Sequence, residues 1–275
     1  MKVYDAASIR NVALVGHTGS GKTQLTSAIL SDAGMINRFG KVDEGTTVTD
    51  FDEEEIARKH TLSAGLAYAE WNRQKLNLID TPGMGNFLAE SRASLRVVDA
   101  ALAVVDAVGG VMVQTEKVWE TAEEFGLPRL VVLNRLDRER ASLERSLASL
   151  RQLCNRAVIP IQLPIGEEKR FRGVVDLISK KAFIFQTDES GTFSEGAVPG
   201  DMTAAVEAAR EALIEMVAEN DEKLMEKFFE AGTLTDDELV SGLRGATLAG
   251  KLFPAVCTSA LLNIGVPQLL DAIVA

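Results

Sequence analysis

Cysteine, histidine and aromatic residues are scarce in this 275-residue sequence. It has two cysteines and two histidines, and aromatic residues make up 5% of the chain. Cys154 and Cys257 lack the spacing of a metal site, and two thiols are too few for a disulfide framework. A core with so few aromatic rings must be built from Ala, Leu, Val and Ile, which favours an α/β architecture over an aromatic-rich β-sandwich.

The sequence also lacks long apolar runs and an excess of positive charge. No run approaches the roughly 18 residues of a membrane span, and residues 1–10 lack the apolar segment of a secretion signal. We therefore expect a cytoplasmic, monomeric protein without a membrane segment. The net charge of −11 repels nucleic acid, which disfavours sequence-specific nucleic-acid binding by this chain alone. A basic protein partner, or a larger assembly with its RNA contacts elsewhere, remains compatible.

The strongest motif begins at Gly16 and ends at Thr23. It reads G-H-T-G-S-G-K-T and fits the pattern G-x-x-x-x-G-K-[ST] at every required position. An apolar strand-like run precedes it and a helical segment follows, so backbone N–H groups should converge on one phosphate-binding concavity. We expect Lys22 to bind the β- and γ-phosphates and Thr23 to ligate Mg²⁺. The predicted phosphate-binding residues are His17, Thr18, Gly19, Ser20, Gly21, Lys22 and Thr23.

Strands and helices alternate over most of the chain. Strands are predicted at 11–15, 61–71, 76–80, 100–105, 130–133 and 255–257, and helices at 24–30, 87–98, 113–125, 143–156 and 267–274. This alternation predicts an α/β fold of the P-loop NTPase kind, a mainly parallel sheet with helices on both faces. Gly16, Asp80 and Asn134 follow predicted strands, so they should gather at one edge of the sheet, where such folds bind ligands.

The middle of the chain has a different rhythm. Strands at 158–163 and 171–185 are followed by helices at 202–218, 221–231 and 235–246, which predicts an α+β subdomain at 158–251. It would be inserted into a domain formed by 1–157 and 252–275. Residues 207–238 carry eleven acids against three bases. Such a run is typical of solvated helix faces, and the alternative of a docking face for a basic protein stays open.

Three shorter motifs follow predicted strands. Asp80 and Gly83 form D-x-x-G, in which the Asp can hold an Mg²⁺-bound water and the Gly N–H can meet a γ-phosphate. Asn134 and Asp137 form N-x-x-D, and the Asp137 carboxylate can accept from the N1–H and N2–H₂ edge of guanine, a donor pair that adenine lacks. A backbone N–H of the segment 258–260 could meet guanine O6. The order of these motifs predicts a guanine-nucleotide switch, and it argues against an ATPase.

With these motifs the sequence resembles the GTP-binding domain of elongation factor G, and more narrowly the divergent bacterial proteins similar to it. The likeness runs nearly end to end and includes the first switch at 43–61, the start of the family's insert at 162–176 and the final motif and helix at 259–270. It implies GTP or GDP with Mg²⁺ and a Thr61 that ligates Mg²⁺ and touches the γ-phosphate. It also implies that Lys22, Thr61 and Gly83 act in catalysis.

The resemblance further implies contacts and partners beyond the phosphate loop. The remaining nucleotide-binding residues are Asp80, Gly83, Asn134, Arg135, Asp137, Ser259, Ala260 and Leu261, and the metal-binding residues are Thr23, Thr61 and, through water, Asp80. The ribosome would be the activating partner of the intact protein, and a basic ribosomal stalk protein is a candidate partner for the acidic insert. The family continues into a β-barrel and three further domains, so the chain resembles an isolated GTPase domain or a fragment.

The sequence departs from the family where the family positions water. Met84 stands where the family has a His that orients the attacking water, and a thioether does not orient water as an imidazole does. Thr18 and His60 stand where the family has apolar residues, and Gly19 replaces an Asp. Arg135 replaces the usual Lys, and its planar cation can still stack over the nucleotide.

Two functions therefore stay open. The first is a translational GTPase with slow intrinsic turnover, in which His60 could swing in to replace the missing imidazole. The second is a module gated by GTP or GDP that hydrolyses GTP very slowly or not at all. Ribosome-protection proteins and peptide release factors share the same motifs.

Overall fold

The computed structural model describes residues 3–154 and 157–275. Their strands are β1 (Ile9–Val15), β2 (Gly65–Trp71), β3 (Gln74–Asp80), β4 (Ala100–Asp106), β5 (Arg129–Asn134), β6 (Ala157–Pro160), β7 (Gln162–Ile165), β8 (Gly173–Asp176), β9 (Lys181–Phe185), β10 (Phe193–Ala197) and β11 (Leu252–Cys257). Their α-helices are α1 (Lys22–Asp32), α2 (Glu53–Arg58), α3 (Leu88–Leu95), α4 (Val113–Glu124), α5 (Leu143–Leu153), α6 (Thr203–Ala218), α7 (Glu222–Ala231), α8 (Asp236–Leu248) and α9 (Val266–Val274). The predicted end of the helix at 143–156 lies partly outside the described residues.

The described strands of the large sheet run in the order β2-β3-β1-β4-β5-β11-β6. Strand β2 pairs antiparallel with β3, and the other neighbours are parallel. The carboxyl ends of β1, β3, β4, β5 and β11 therefore meet at one edge. This arrangement confirms the predicted α/β fold with a mainly parallel sheet.

Helices cover both faces of the large sheet because successive residues of its strands point to opposite sides. In β1, Val12 and Leu14 pack with α1 and α9, whereas Ala13 and Val15 pack with α3 and α4. Strand β5 is buried along its whole length, as expected for a central parallel strand. Aliphatic side chains supply most of this core, as the composition predicted.

A second, antiparallel sheet in the order β10-β9-β8-β7, together with α6, α7 and α8, forms the inserted subdomain. The predicted boundary at 158 needs correction, because β6 pairs with β11 from Leu252↔Ala157 to Ala255↔Pro160 and so belongs to the large sheet. Strand β10, which the sequence analysis missed, is exposed along its length, so no alternation of apolar residues marks it.

No helix among residues 3–154 and 157–275 combines the length and the apolar character needed to cross a bilayer.

Candidate functional site

The phosphate-binding loop, which comprises residues 16–21, connects the end of β1 to the start of α1. Gly16 and Gly21 have φ angles of +145° and +92°, which favour glycine. A Cβ on Gly16 would lie 2.3 Å from the Val104 carbonyl oxygen, and one on Gly21 would lie 2.4 Å from Asn134 Nδ2. The glycines of the motif are therefore required by backbone conformation and by close approach to β4 and β5.

Lys22 is the first residue of α1, and its ammonium group points back over the loop. Nζ donates to the carbonyl oxygens of Gly16 and His17 at 3.0 and 3.1 Å. Burial lowers the pKa of Lys22 to about 8, although the carboxylates of Asp80 and Asp50 act in the opposite direction. Lys22 therefore remains a cation at neutral pH, enclosed with the backbone N–H groups at the start of α1.

Three threonine hydroxyls and two carboxylates meet near Lys22. The side-chain oxygens of Thr23 and Thr61 are hydrogen-bonded at 2.8 Å, and Thr61 Oγ1 also donates to Asp50 Oδ1 at 2.8 Å. Asp80 is buried, and its Oδ2 accepts from Thr49 Oγ1 at 2.8 Å. Burial raises the pKa of Asp80 to about 6. Hard oxygen donors of this kind suit Mg²⁺, which takes one or two carboxylates besides water and substrate phosphates.

The loop after β3 contacts the phosphate-binding loop directly. Thr18 N donates to the Gly83 carbonyl oxygen at 3.0 Å, and a Cβ on Gly83 would lie 2.5 Å from the backbone nitrogen of Thr18. Thr81 Oγ1 fixes the start of this loop by donating to the Leu14 carbonyl oxygen at 2.6 Å. Because of the close approach at Gly83, only glycine fits at that position. Met84 is the next residue, and it is half-buried at the start of a 3₁₀ turn.

The segment from 40 to 63 is folded over the start of α1. Gln24 Nε2 and Ser27 Oγ both donate to the Gly40 carbonyl oxygen, at 3.0 and 2.9 Å. The buried Glu55 on α2 accepts from the backbone of Leu62 and Ser63 at 2.8 and 3.1 Å. These bonds hold Thr61 next to Thr23.

The opposite end of the site is built from the ends of β5 and β11. Asn134 Nδ2 donates to the Ser20 carbonyl oxygen at 2.8 Å, and Ala260 N donates to Asn134 Oδ1 at 2.9 Å. Asn134 thus ties the phosphate-binding loop to the segment after β11. Ser259 Oγ donates to Asp137 Oδ1 at 2.6 Å, which fixes the orientation of that carboxylate.

A single pocket of about 240 Å³ joins the two ends. Most of the predicted residues line it, namely Thr18, Gly19, Gly21, Lys22, Thr23, His60, Thr61, Gly83, Asn134, Arg135, Asp137, Ala260 and Leu261. Four predicted residues lie outside the lining that the described residues define, but next to residues that belong to it. They are His17, Ser20, Asp80 and Ser259. The predicted residues therefore converge on one site at the carboxyl edge of the sheet.

Two carboxylates of this region were missed by the sequence analysis. Asp50 lines the pocket beside Thr61, and Asp106 pairs with Arg135 at 2.9 Å. Asp50 lies in a loop whose path the sequence does not specify. Asp106 is the last residue of β4, so the rule that ligands bind at strand carboxyl ends could have identified it.

Comparison with known proteins agrees with this geometry. The model of the elongation factor Tu GTP binding domain matches residues 7–275. The crystal structure of ttk003000868 from Thermus thermophilus is similar, with a TM-score of 0.91 and 38% sequence identity. The match covers 98% of this chain but 40% of that chain, so this protein spans less than half the length of that relative. The chain therefore belongs to the elongation factor Tu GTP-binding domain family.

Proposed function

We propose that this chain is the guanine-nucleotide-binding domain of an elongation factor G-like protein. It would bind GTP and GDP with Mg²⁺ and convert GTP and water to GDP and phosphate. The observation that carries this proposal is the single pocket that joins Lys22, Thr23 and Thr61 to Asn134 and Asp137. One end has the groups that phosphates and their metal need, and the other has the carboxylate that guanine needs.

Each of these residues would have a separate role. Lys22 would neutralise charge on the β- and γ-phosphate oxygens, and Gly83 N–H would meet the γ-phosphate. Thr23 and Thr61 would ligate Mg²⁺, with Asp80 acting through water. A bound Mg²⁺ would supply neutralisation of phosphate charge at this site. Asp137, oriented by Ser259, would accept from the guanine edge.

Slow turnover follows from the residues near the attacking water. Met84 has no group that can orient water, and Thr18 and His60 replace apolar neighbours. We expect GTP hydrolysis near the intrinsic P-loop rate of roughly 10⁻⁴ to 10⁻³ s⁻¹ in the absence of a partner. The second candidate, a GTP/GDP-gated module that barely hydrolyses, is favoured by the same Met84.

Nucleotide competition and turnover test the proposal. GTP and GDP should displace a fluorescent GDP, whereas ATP at the same concentration should not. Equal displacement by ATP would contradict the guanine assignment. Turnover of the intact protein with and without ribosomes separates the two candidates, because ribosomes should accelerate only a coupled GTPase. His60→Ala should lower stimulated turnover if His60 takes the place of the missing imidazole.

Met84→His tests the cause of slow turnover. If the thioether limits the reaction, an imidazole at this position should raise the ribosome-stimulated rate by roughly 10²-fold, the lower end of general acid–base contributions. Met84→Leu is the control, since it changes the shape of the side chain without adding a polar group. Equal rates for the two variants would place the limitation elsewhere.

The wider assignments are also proposals. The intact protein would act on the ribosome in the cytoplasm, and this domain would be monomeric. The acidic insert would bind a basic ribosomal stalk protein. The sequence analysis placed this insert at 158–251, whereas in the structure β6 belongs to the large sheet. The chain's net charge of −11 favours a basic protein partner over direct contact with RNA.

A further inference from the structure

Arg135 is held at the base end of the pocket by two acceptors. Its Nη1 donates to the Gly19 carbonyl oxygen at 2.7 Å and to Asp106 Oδ2 at 2.9 Å. Its backbone adopts a φ of +68°, which turns the chain at the end of β5 and directs the side chain across the phosphate-binding loop. Arg135 lines the pocket between Gly19 and Asp137.

Asp106 lies outside the pocket lining, and both its carboxyl oxygens are engaged. Oδ1 accepts from Val108 N at 2.9 Å, while Oδ2 accepts from Arg135. Asp106 is opposite Asn134 in the register of β4 and β5, and its side chain is 20% exposed. The carboxylate is therefore fixed by the sheet and by its own turn before any ligand arrives.

This arrangement has a consequence for affinity. A free arginine side chain loses rotamer entropy when it is immobilised. A side chain that is already held loses less on binding, and the difference appears as affinity. One carbonyl acceptor alone leaves the guanidinium free to rotate about that bond, whereas two acceptors on different elements fix its position.

We propose that Asp106 is a positioning residue for nucleotide binding, which acts by fixing Arg135 against the phosphate-binding loop as one wall of the base end. This inference rests on the proposed function, since it assumes a guanine nucleotide in the pocket. Asp137 accepts hydrogen bonds from the edge of the base, whereas the contact between Arg135 and the nucleotide does not depend on the groups at that edge. Loss of Asp106 should therefore weaken the binding of every purine nucleotide that donates to Asp137, and it should do so by the same factor.

Asp106→Asn tests this role, because Asn keeps an oxygen for Val108 N but cannot present a second acceptor to Arg135. The dissociation constants of GDP and inosine diphosphate should both rise about three- to tenfold, mainly through faster dissociation of fluorescent GDP. Arg135→Ala should weaken both nucleotides at least as much, and Asp106→Asn should add little in that background. Asp99→Asn is the matched control, since its exposed carboxylate accepts from Asn11 and lies far from the site.

The outcomes separate the inference from the function on which it rests. Failure of the unchanged protein to bind GDP would overturn the proposed function. Tight GDP binding by the unchanged protein and by Asp106→Asn alike would overturn only the role of Asp106. An equal loss from Asp106→Asn in the Arg135→Ala background would also overturn it. If Asp106→Asn does not fold, as judged by thermal unfolding, Asp106→Ser gives the decision. Serine keeps one oxygen for Val108 N but lacks the second oxygen that Arg135 uses, so both nucleotides should weaken by the same factor, and unchanged affinity would contradict the role.

Discussion

In the proposed function, base selection depends on one carboxylate, Asp137, whose environment is fixed before a ligand binds. The Asp137 side chain is 11% exposed, and Ser259 donates to its Oδ1. Arg138 lies 3.6 Å from its other oxygen. In the proposed site this half-buried carboxylate would need donors from the ligand, because a nucleotide that offers none leaves an acceptor unpaired. Discrimination between purines would then follow from hydrogen-bond donors rather than from shape.

Asp137→Asn should reverse this preference. An Asn keeps an oxygen for Ser259 but presents an amide donor, which matches the 2-oxo group of xanthine better than the amino group of guanine. GDP affinity should fall by about 1.5–3 kcal/mol, which is roughly 10- to 150-fold, and xanthosine diphosphate should bind better than it does to the unchanged protein. Calorimetric titration of both nucleotides measures the change.

Ser259→Ala provides the comparison for that substitution. It removes the donor that orients Asp137 but leaves the carboxylate, so GDP should weaken without any gain for xanthosine diphosphate. A gain in both variants would mean that the pocket responds to lost rigidity instead of to the donor pattern.

The motif residues could be located from sequence because their spacing along the chain is fixed by chemistry. Thr23 follows Lys22 directly, and the N-x-x-D pattern places Asp137 one turn beyond Asn134. Asp50 and Asp106 could not be assigned a role in this way. Each meets its partner through a contact between segments that are distant in sequence, 11 residues apart for Asp50–Thr61 and 29 for Asp106–Arg135.

The hairpin between β9 and β10 connects the inserted subdomain to the nucleotide site. Lys41, next to the pocket-lining Val42, forms an ion pair with Glu189 of this hairpin at 2.6 Å. Gly191, at φ +73°, lies against Asp32 and Asn263, two residues that are themselves hydrogen-bonded at 2.6 Å. The hairpin thus contacts the end of α1, Lys41 just before the predicted first switch, and the segment after β11.

Gly191→Ala should disturb this contact. A Cβ there would lie 2.4 Å from Asp32 Oδ1, and the positive φ adds strain, so we expect a loss of about 1–3 kcal/mol in the free energy of unfolding. Gly196→Ala is the control, because among the described residues a Cβ at that position meets open space. Thermal unfolding of both variants measures the difference, and equal melting temperatures would show that the hairpin does not need the close approach.

Asp32→Asn should change the pH dependence of stability. Burial raises the pKa of Asp32 to about 6, against the effect of the hydrogen bond from Asn263. The folded state then holds this proton more tightly than the unfolded state. The stabilisation that the proton on Asp32 contributes to the folded state is therefore full below the unfolded pKa of 3.8. It is lost as the pH rises through the folded pKa of about 6.

The Asn variant should lack that slope and should be more stable at pH 7.5 by about 1 kcal/mol, since partial exposure reduces the full effect of the shift. Asn can still accept from Asn263. Urea unfolding at pH 4.5 and 7.5 measures the slope, with the exposed Asp201→Asn as control. A variant less stable than the unchanged protein at pH 7.5 would contradict this account.

Helices and strands of the large sheet were predictable because apolar runs alternate with turn signals. The order of the strands was less accessible. Strand β6 looked like part of the insert because it precedes β7 by one residue, and only its pairing with β11, about 95 residues later, assigns it to the large sheet. Local pattern does not specify such distant pairing.

Ligand binding should stabilise the whole protein because the pocket draws on segments from both ends of the chain. At a GDP concentration 100 times the dissociation constant, linkage adds about 2.7 kcal/mol to the free energy of unfolding. For a protein of this size that corresponds to a rise of roughly 5–10 °C in melting temperature. Differential scanning fluorimetry measures it, and ADP at the same concentration should cause little change. Equal shifts with the two nucleotides would argue against a guanine site.

Because β11 lies between β5 and β6, the large sheet of the nascent chain cannot be completed until β11 has been synthesised. Ala260, whose N–H completes the contact to Asn134, follows Lys22 by roughly ten to fifty seconds at common elongation rates. During that interval β5 has an unpaired edge, a feature that invites misassociation and chaperone capture. The growing chain therefore contains Lys22 and its loop well before it contains the segment after β11 that orients Asn134 and Asp137.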